Sequence, residues 1–361
     1  AAAKYASISQ EILRAIEKGN EYLKSKQNPE GYWAQPSYPA LTALAVTAYM
    51  RDPANQGKPV PEYIRKGYDF ILKSQKEDGS IFTRGMSSYN TAVCMMALLA
   101  ANKEEYAPAI LKGRAYLIKQ QNHFAPDNPY NGGIGYGDKQ APPIADLSNT
   151  SLALEAIYYS QKLAKDGKYG EQPDLDWNAA TEFINRCQQN PAVNKEPWVS
   201  NDKSQLGGFV YRPGVSSARD KKSAAFDKAE PPKAYGSMTY AGMQSLIYAN
   251  VDKNDPRVKL ALKWLENSYS LDENPGMGVQ GLYYYYQAMS KALSAMGIDT
   301  LTLENGRKVD WRDELANKLI SIQKSDGSWV NTNNRWWEAD PVLVTSYCVL
   351  ALEQLYHSIP R

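Results

Sequence analysis

The sequence predicts an all-α protein, a single (α/α)6 toroid made of six outer–inner helix pairs, and three observations carry that expectation. A short element, QKSDGSW at 323–329, recurs with changes as QNPEGYW at 27–33 and QKEDGSIF at 75–82. Each copy is preceded by an amphipathic stretch and followed by a more apolar one, as a wet-faced helix handing over to a buried helix would be. The apolar stretches align on one another without gaps. A repeat that spans the chain overrides the prior of two or three domains that length alone suggests, so residues 1–361 are read as one domain.

The outer helices are expected at 8–26, 61–73, 108–121, 177–189, 257–270 and 311–324, and the inner ones at 40–50, 89–101, 148–160, 235–249, 279–293 and 342–355. The six repeats then run 8–50, 61–101, 108–160, 177–249, 257–293 and 311–355. The inner set aligns on Thr42, Thr91, Thr150, Thr239 and Thr345, with Leu282 in the fifth copy. Six residues further on stand Ala48, Ala97, Ala156, Ser245, Ala288 and Ala351, and three residues on stand Ala45, Cys94, Ala153, Gly242, Tyr285 and Cys348. Small groups three apart share a helical face and let a neighbouring helix come close. Cys94 and Cys348 fall in this packing register and are read as small hydrophobes.

Within the motif, Asp-Gly or Glu-Gly supplies a residue that tolerates positive φ beyond a helix end. The glutamine is expected to bond backbone left open at that end, and the aromatic residue to cover the turn. Copies three to five are looser. The third expands to QQNHFAPDNPYNGGIGYGD, the fourth carries a long insertion through LGGFVYRPG, and the fifth keeps only NPGMG. All these loops leave where an outer helix hands over to an inner one, so they should gather around one rim. Long loops in such places tend to carry function.

Composition limits the partners. The chain is 43% hydrophobic and 22% charged with a net charge of +2, which gives no field to attract nucleic acid or an anionic membrane. No apolar run approaches the roughly twenty residues that cross a bilayer. Three cysteines and two histidines lie too far apart in sequence for a zinc or redox motif, and no metal or cofactor is expected. The chain opens AAAKYAS without methionine, which fits an exported protein, periplasmic or extracellular, whose leader has been removed.

The glutamine-to-tryptophan element resembles the repeat of squalene cyclases and protein prenyltransferases, over essentially the whole chain. The resemblance implies inner helices surrounding a central cavity. It also implies chemistry that these residues do not match. Squalene–hopene cyclases start from an aspartic acid in D-x-D-D-T-A, whereas the corresponding stretch reads Asp146-Leu147-Ser148-Asn149-Thr150-Ser151. Serine and asparagine cannot protonate an alkene. The prenyltransferase zinc site needs Asp-x-Cys, and Ala92, Asn185 and Ser346 stand two residues before the cysteines.

The expected interior is tyrosine-rich, with 26 tyrosines against 6 phenylalanines. Tyr283 to Tyr286 are consecutive, so only one or two of them can face a cavity, and Tyr283 is taken as the representative. Asp146 and Asp340 stand just before inner helices. Each is read first as a helix cap and otherwise as the catalytic acid. Trp336, Trp337 and Glu338 describe a ligand-binding rim, and Tyr211, Arg212, Arg219 and Asp227 in the fourth-copy insertion form a further candidate binding group. GGIGYGD at 132–138 lacks the strand and lysine of a phosphate loop and reads as a turn.

Function remains open among several classes. The leading one is a toroid holding a small molecule or glycan in its cavity or at its rim, or binding a protein there, without catalysis. The alternatives are a prenyl-processing enzyme with an altered acid, or a secreted polysaccharide lyase using Arg212 or Arg335 with Asp138, Asp227 or Asp340. A carrier is the last.

Overall fold

Two kinds of helix alternate along the chain, and the difference between them places each in its layer. The computed structural model describes residues 2–137, 144–218 and 231–360. The first three pairs are α1 (Ala6–Ser25) with α2 (Pro39–Arg51), α3 (Glu62–Lys73) with α4 (Ser87–Ala101), and α5 (Ala107–Lys119) with α6 (Leu147–Lys165). The remaining three are α7 (Trp177–Asn185) with α8 (Gly236–Tyr248), α9 (Pro256–Asn267) with α10 (Leu282–Ala295), and α11 (Trp311–Ile322) with α12 (Pro341–Ser358).

The even-numbered helices close a ring. Each packs on the next from α2 through α12, and α12 returns to α2. The odd-numbered helices lie outside, α3 against α2, α5 against α4 and α6, α9 against α8, and α1 against α12. The small-residue register explains how the inner helices approach: Ala48, Ala97, Ala156, Ser245 and Ala351 are all fully buried, as are Cys94 and Cys348. All three cysteines are free and buried, and burial pushes their thiols up, away from reactivity.

The motif acts across repeats, which corrects the expectation that its glutamine closes its own helix end. The Gln27 amide donates to the carbonyl of Gly31 within the motif, at 3.0 Å, and to the carbonyl of Tyr63 on the next outer helix, at 2.7 Å. Gln75 does the same to Gly79 and Ala109, Gln121 to Gly132 and Asp176, and Gln188 to Gly207 and Arg257. Gln323 completes the series on Gly327 and Ala15. The preceding helix is served by the tryptophan instead: the indole N–H of Trp33 donates to Leu23, and that of Trp329 to Leu319, both in the last turn of an outer helix.

The motif glycines have φ between +82° and +103°, and a Cβ on any of them would strike a carbonyl of the next outer helix, that of Lys66, Lys112, Ala179, Leu260 or Lys18. The aligned threonines lock the other side. Thr42, Thr91, Thr150, Thr239 and Thr345 accept through Oγ1 from the backbone N–H of Trp33, Ile81, Ile134, Phe209 and Trp329. In the second copy the buried position is therefore Ile81 rather than Phe82. A two-stranded hairpin, β1 (Thr300–Thr302) with β2 (Lys308–Asp310), follows α10 and was not anticipated. Its Asn305-Gly306 turn is the signal that could have found it.

Candidate functional site

All inner helices run in the same sense, so their first turns meet at one end of the ring, together with the long loops. A cavity of about 480 Å³ opens there. Its wall takes Ser148, Asn149 and Leu152 from α6, Ser237 and Met238 from α8, Tyr284 from α10, and Leu343 and Tyr347 from α12. The loops add Met86, Tyr136, Tyr211, Ser217, Tyr235, Trp336, Trp337 and Glu338, which bears out the expectation of a single rim.

The two tryptophans form the mouth. Trp336 is 44% exposed and Trp337 42% exposed, although both are large apolar side chains. Both also have left-handed backbone, with φ of 54° and 64°, which costs a bulky residue on the order of 1–3 kcal/mol. Trp336 stacks under the Arg335 guanidinium, 4.4 Å from ring centre, and Trp337 packs on Tyr38 at 5.0 Å. Arg335 is steadied by Gln280 at 2.6 Å. Two strained and exposed aromatic rings thus stand at the opening of an aromatic cavity.

Glu338 is fully buried, and its carboxylate accepts from the backbone N–H groups of Tyr283 and Tyr284 at 3.0 Å each and from the Asn331 amide at 3.1 Å. It thus caps the start of α10 from another repeat, where Gly281 has no side chain to do so. Burial pushes its pKa up, and these three bonds pull it back.

Asp146 also caps. Its side chain accepts from the Asn149 backbone N–H at 2.7 Å and from the Asn149 amide at 2.8 Å. It is buried behind Ser148, Asn149 and Tyr211 and is not itself a wall residue. Burial raises its pKa to about 6, against the pull of the Asn149 bonds, the Tyr211 hydroxyl and the nearby Arg212 charge. Asp340 caps α12 by accepting from Val342 N–H at 2.9 Å, and it too lies off the wall.

Other expected residues divide. Tyr211 lines the cavity, whereas Arg212 lies behind it beside Asp146. Tyr283 is buried against Tyr286 and does not line the cavity, and the tyrosine of this run that does is Tyr284. Asp138, Arg219 and Asp227 fall outside the described residues. Among the described residues no cluster of three acidic, histidine or cysteine side chains could hold a metal ion.

The cavity floor is a waist of Tyr89, Leu152, Tyr284 and Tyr347, shared with a smaller chamber of about 80 Å³ below it. Tyr284 meets Tyr347 edge to face at 5.9 Å, and the Tyr89 hydroxyl bonds that of Tyr347. Sequence reasoning missed Tyr89 and Tyr347, and within the tyrosine run it took Tyr283 where Tyr284 faces the cavity.

No family model matches the chain. Its fold is similar to that of the type II terpene cyclase MstE from Scytonema in the apo state, at a TM-score of 0.57 and 10% identity over 97% of this chain and 99% of that one. A variant of that cyclase in complex with geranylgeranyl dihydroxybenzoate matches equally well, at 0.57 and 10% over 98% and 99%. Protein geranylgeranyltransferase-I from Candida albicans, complexed with GGPP, matches at 0.57 with 15% identity over 95% and 91%. The chain thus folds as a terpenoid cyclase/prenyltransferase-like α/α toroid.

Proposed function

We propose that this protein binds a small, largely apolar ligand of the isoprenoid class in its upper cavity, entering between Trp336 and Trp337, and does not start a cyclisation by protonating it. One observation carries the reading: a 480 Å³ cavity walled by tyrosine, tryptophan, methionine and leucine, whose adjoining carboxylates are already engaged. Glu338 is tied to the start of α10 and Asp146 to the start of α6, while the position of a cyclase acid is held by Ser148 and Asn149. The hydroxyls of Ser148, Ser237 and the tyrosines are suited to orienting one polar end of the ligand. That solved toroids of the same fold hold geranylgeranyl compounds supports the ligand class. Export of the protein is part of the same proposal.

The test is native mass spectrometry of protein purified from its own source, with organic extraction of anything retained, followed by titration with farnesol and geranylgeraniol read by tryptophan fluorescence. A retained prenyl-type molecule and saturable quenching support the reading. An empty protein that neither alcohol quenches would discard it, and a retained glycan would shift the reading to the lyase class.

One observation favours a catalytic alternative. Asp146 titrates near 6 and touches the Tyr211 hydroxyl at the wall, so it holds a proton in mildly acidic medium. Turnover of a geranylgeranyl substrate that disappears in Asp146→Asn would establish it.

A further inference from the structure

The chamber below the tyrosine waist differs in chemistry from the cavity above. It lies toward the C-terminal ends of the inner helices, and its polar lining comes from Thr47 and Arg51 on α2, Glu155 on α6, Gln287 and Lys291 on α10, and Gln354 on α12. The remaining lining is mainly aliphatic, from Leu44, Val93, Met96 and Leu350. Its volume of about 80 Å³ is several times what one water needs, roughly 10–15 Å³ by the same measure.

The charges do not balance. Lys291 pairs with Glu155 Oε2 at 2.7 Å, and the same oxygen accepts from the Tyr248 hydroxyl at 3.1 Å, so Lys291 has its counter-charge. Arg51 has no carboxylate partner among the described residues. One of its terminal nitrogens donates to Gln354 Oε1 at 2.9 Å, a neutral acceptor. Two buried acids stand nearby: Asp52, which accepts from the Asn20 amide and the Ala54 N–H, and Glu353, whose two oxygens are unpartnered. Burial pushes the Glu353 pKa well up, and neither of its oxygens bonds Arg51.

The C-terminal ends of the inner helices account for two cations being held at this end of the ring. They do not supply the two convergent acceptors that a guanidinium fork takes.

We infer that the lower chamber is a binding site for an organic carboxylate, with the carboxylate on the Arg51 fork, the amides of Gln287 and Gln354 beside it, and the apolar body against Leu44, Val93 and Leu350. The carboxylate has two sources, a small free acid or the far end of a chain reaching down through the tyrosine waist. The second source rests on the upper-cavity reading, and the first does not.

The experiment titrates the full chain with butyrate, butanol and inorganic phosphate by ligand-observed NMR, then with farnesoic acid and farnesol by calorimetry. Butyrate should bind saturably where butanol and phosphate do not, and should bind about tenfold more weakly to Arg51→Gln, with Arg51→Lys intermediate. The butanol comparison needs no variant and holds even if Arg51→Gln fails to fold. Selective butyrate binding assigns the site to a free acid. If farnesoic acid exceeds farnesol in affinity and that preference is lost in Arg51→Gln, the acid is the end of a chain. Absence of any carboxylate preference, or a preference that survives Arg51→Gln, overturns the inference. Farnesol affinity by itself reports the upper cavity, so the two readings fail separately.

Discussion

The side-chain amide of Gln323 donates to the carbonyl of Ala15 at 3.0 Å, joining the last repeat to the first outer helix. The other four glutamines make the same bond to the next repeat in sequence. Only this one closes the ring. Gln323→Ala is expected to cost about 1–3 kcal/mol, because it leaves a part-buried motif without its partner at the seam of the ring. Urea unfolding checks the cost. Hydrogen exchange should also place the loss of protection in α1 and α11 rather than across the ring, and a loss confined to the motif loop would argue against a closing role.

Gly327 has φ of +91°, and a Cβ there would collide with the Lys18 carbonyl, whereas Gly57 has φ of +74° with nothing near. Gly57→Ala should cost about 1 kcal/mol from backbone strain alone. Gly327→Ala should cost several times that, since carbonyl and Cβ must separate and the outer helix must move. Equal midpoints in denaturant for the two variants would refute the close-approach account.

Asp146 titrates near 6 in the fold against an ordinary value of 3.8, so the folded state holds the proton more tightly than the unfolded one. Its contribution to stability is therefore full below pH 4 and is lost as pH rises through 6, a penalty on the order of 3 kcal/mol at neutral pH. Asparagine still caps a helix and cannot ionise. The stability of Asp146→Asn relative to wild type should rise between pH 4 and pH 6 and then level off. A constant difference across that range, measured by urea unfolding, would show that burial does not shift this group.

Trp336 carries left-handed strain and is 44% exposed, so it gives the fold little. Trp336→Gly relieves the strain while losing the stack on Arg335, and stability should stay within about 1 kcal/mol of wild type. Farnesol binding, by contrast, should weaken about tenfold or more. Marked destabilisation with unchanged binding would make Trp336 a structural residue.

Much of the candidate site was legible because it lies on repeat-defined rims. The loop tryptophans at 336 and 337, Glu338 and Tyr211 stand where outer helices hand over to inner ones, and alternation of wet and dry helices located those turns. What failed was direction. Four consecutive tyrosines in α10 sweep the full circumference of the helix, so sequence could not choose Tyr284 over Tyr283. Asp146 and Asp340 were recognisable as caps because a cap acts on residues two or three positions away. The cap that Glu338 provides reaches residues 54 and 55 positions away, and local pattern carries no trace of it.

By itself the sequence determined the alternation of helices, the small-residue register of the inner ring and the glycine turns, since each follows from periodicity, side-chain volume or φ within a few residues. Only the tertiary structure decided that the glutamines grip the following repeat, that three tyrosines form a waist between two chambers, and that Arg51 has no carboxylate partner among the described residues. Those properties depend on atoms brought together from different helices, and no local rule of spacing fixes which side chains converge when a ring closes.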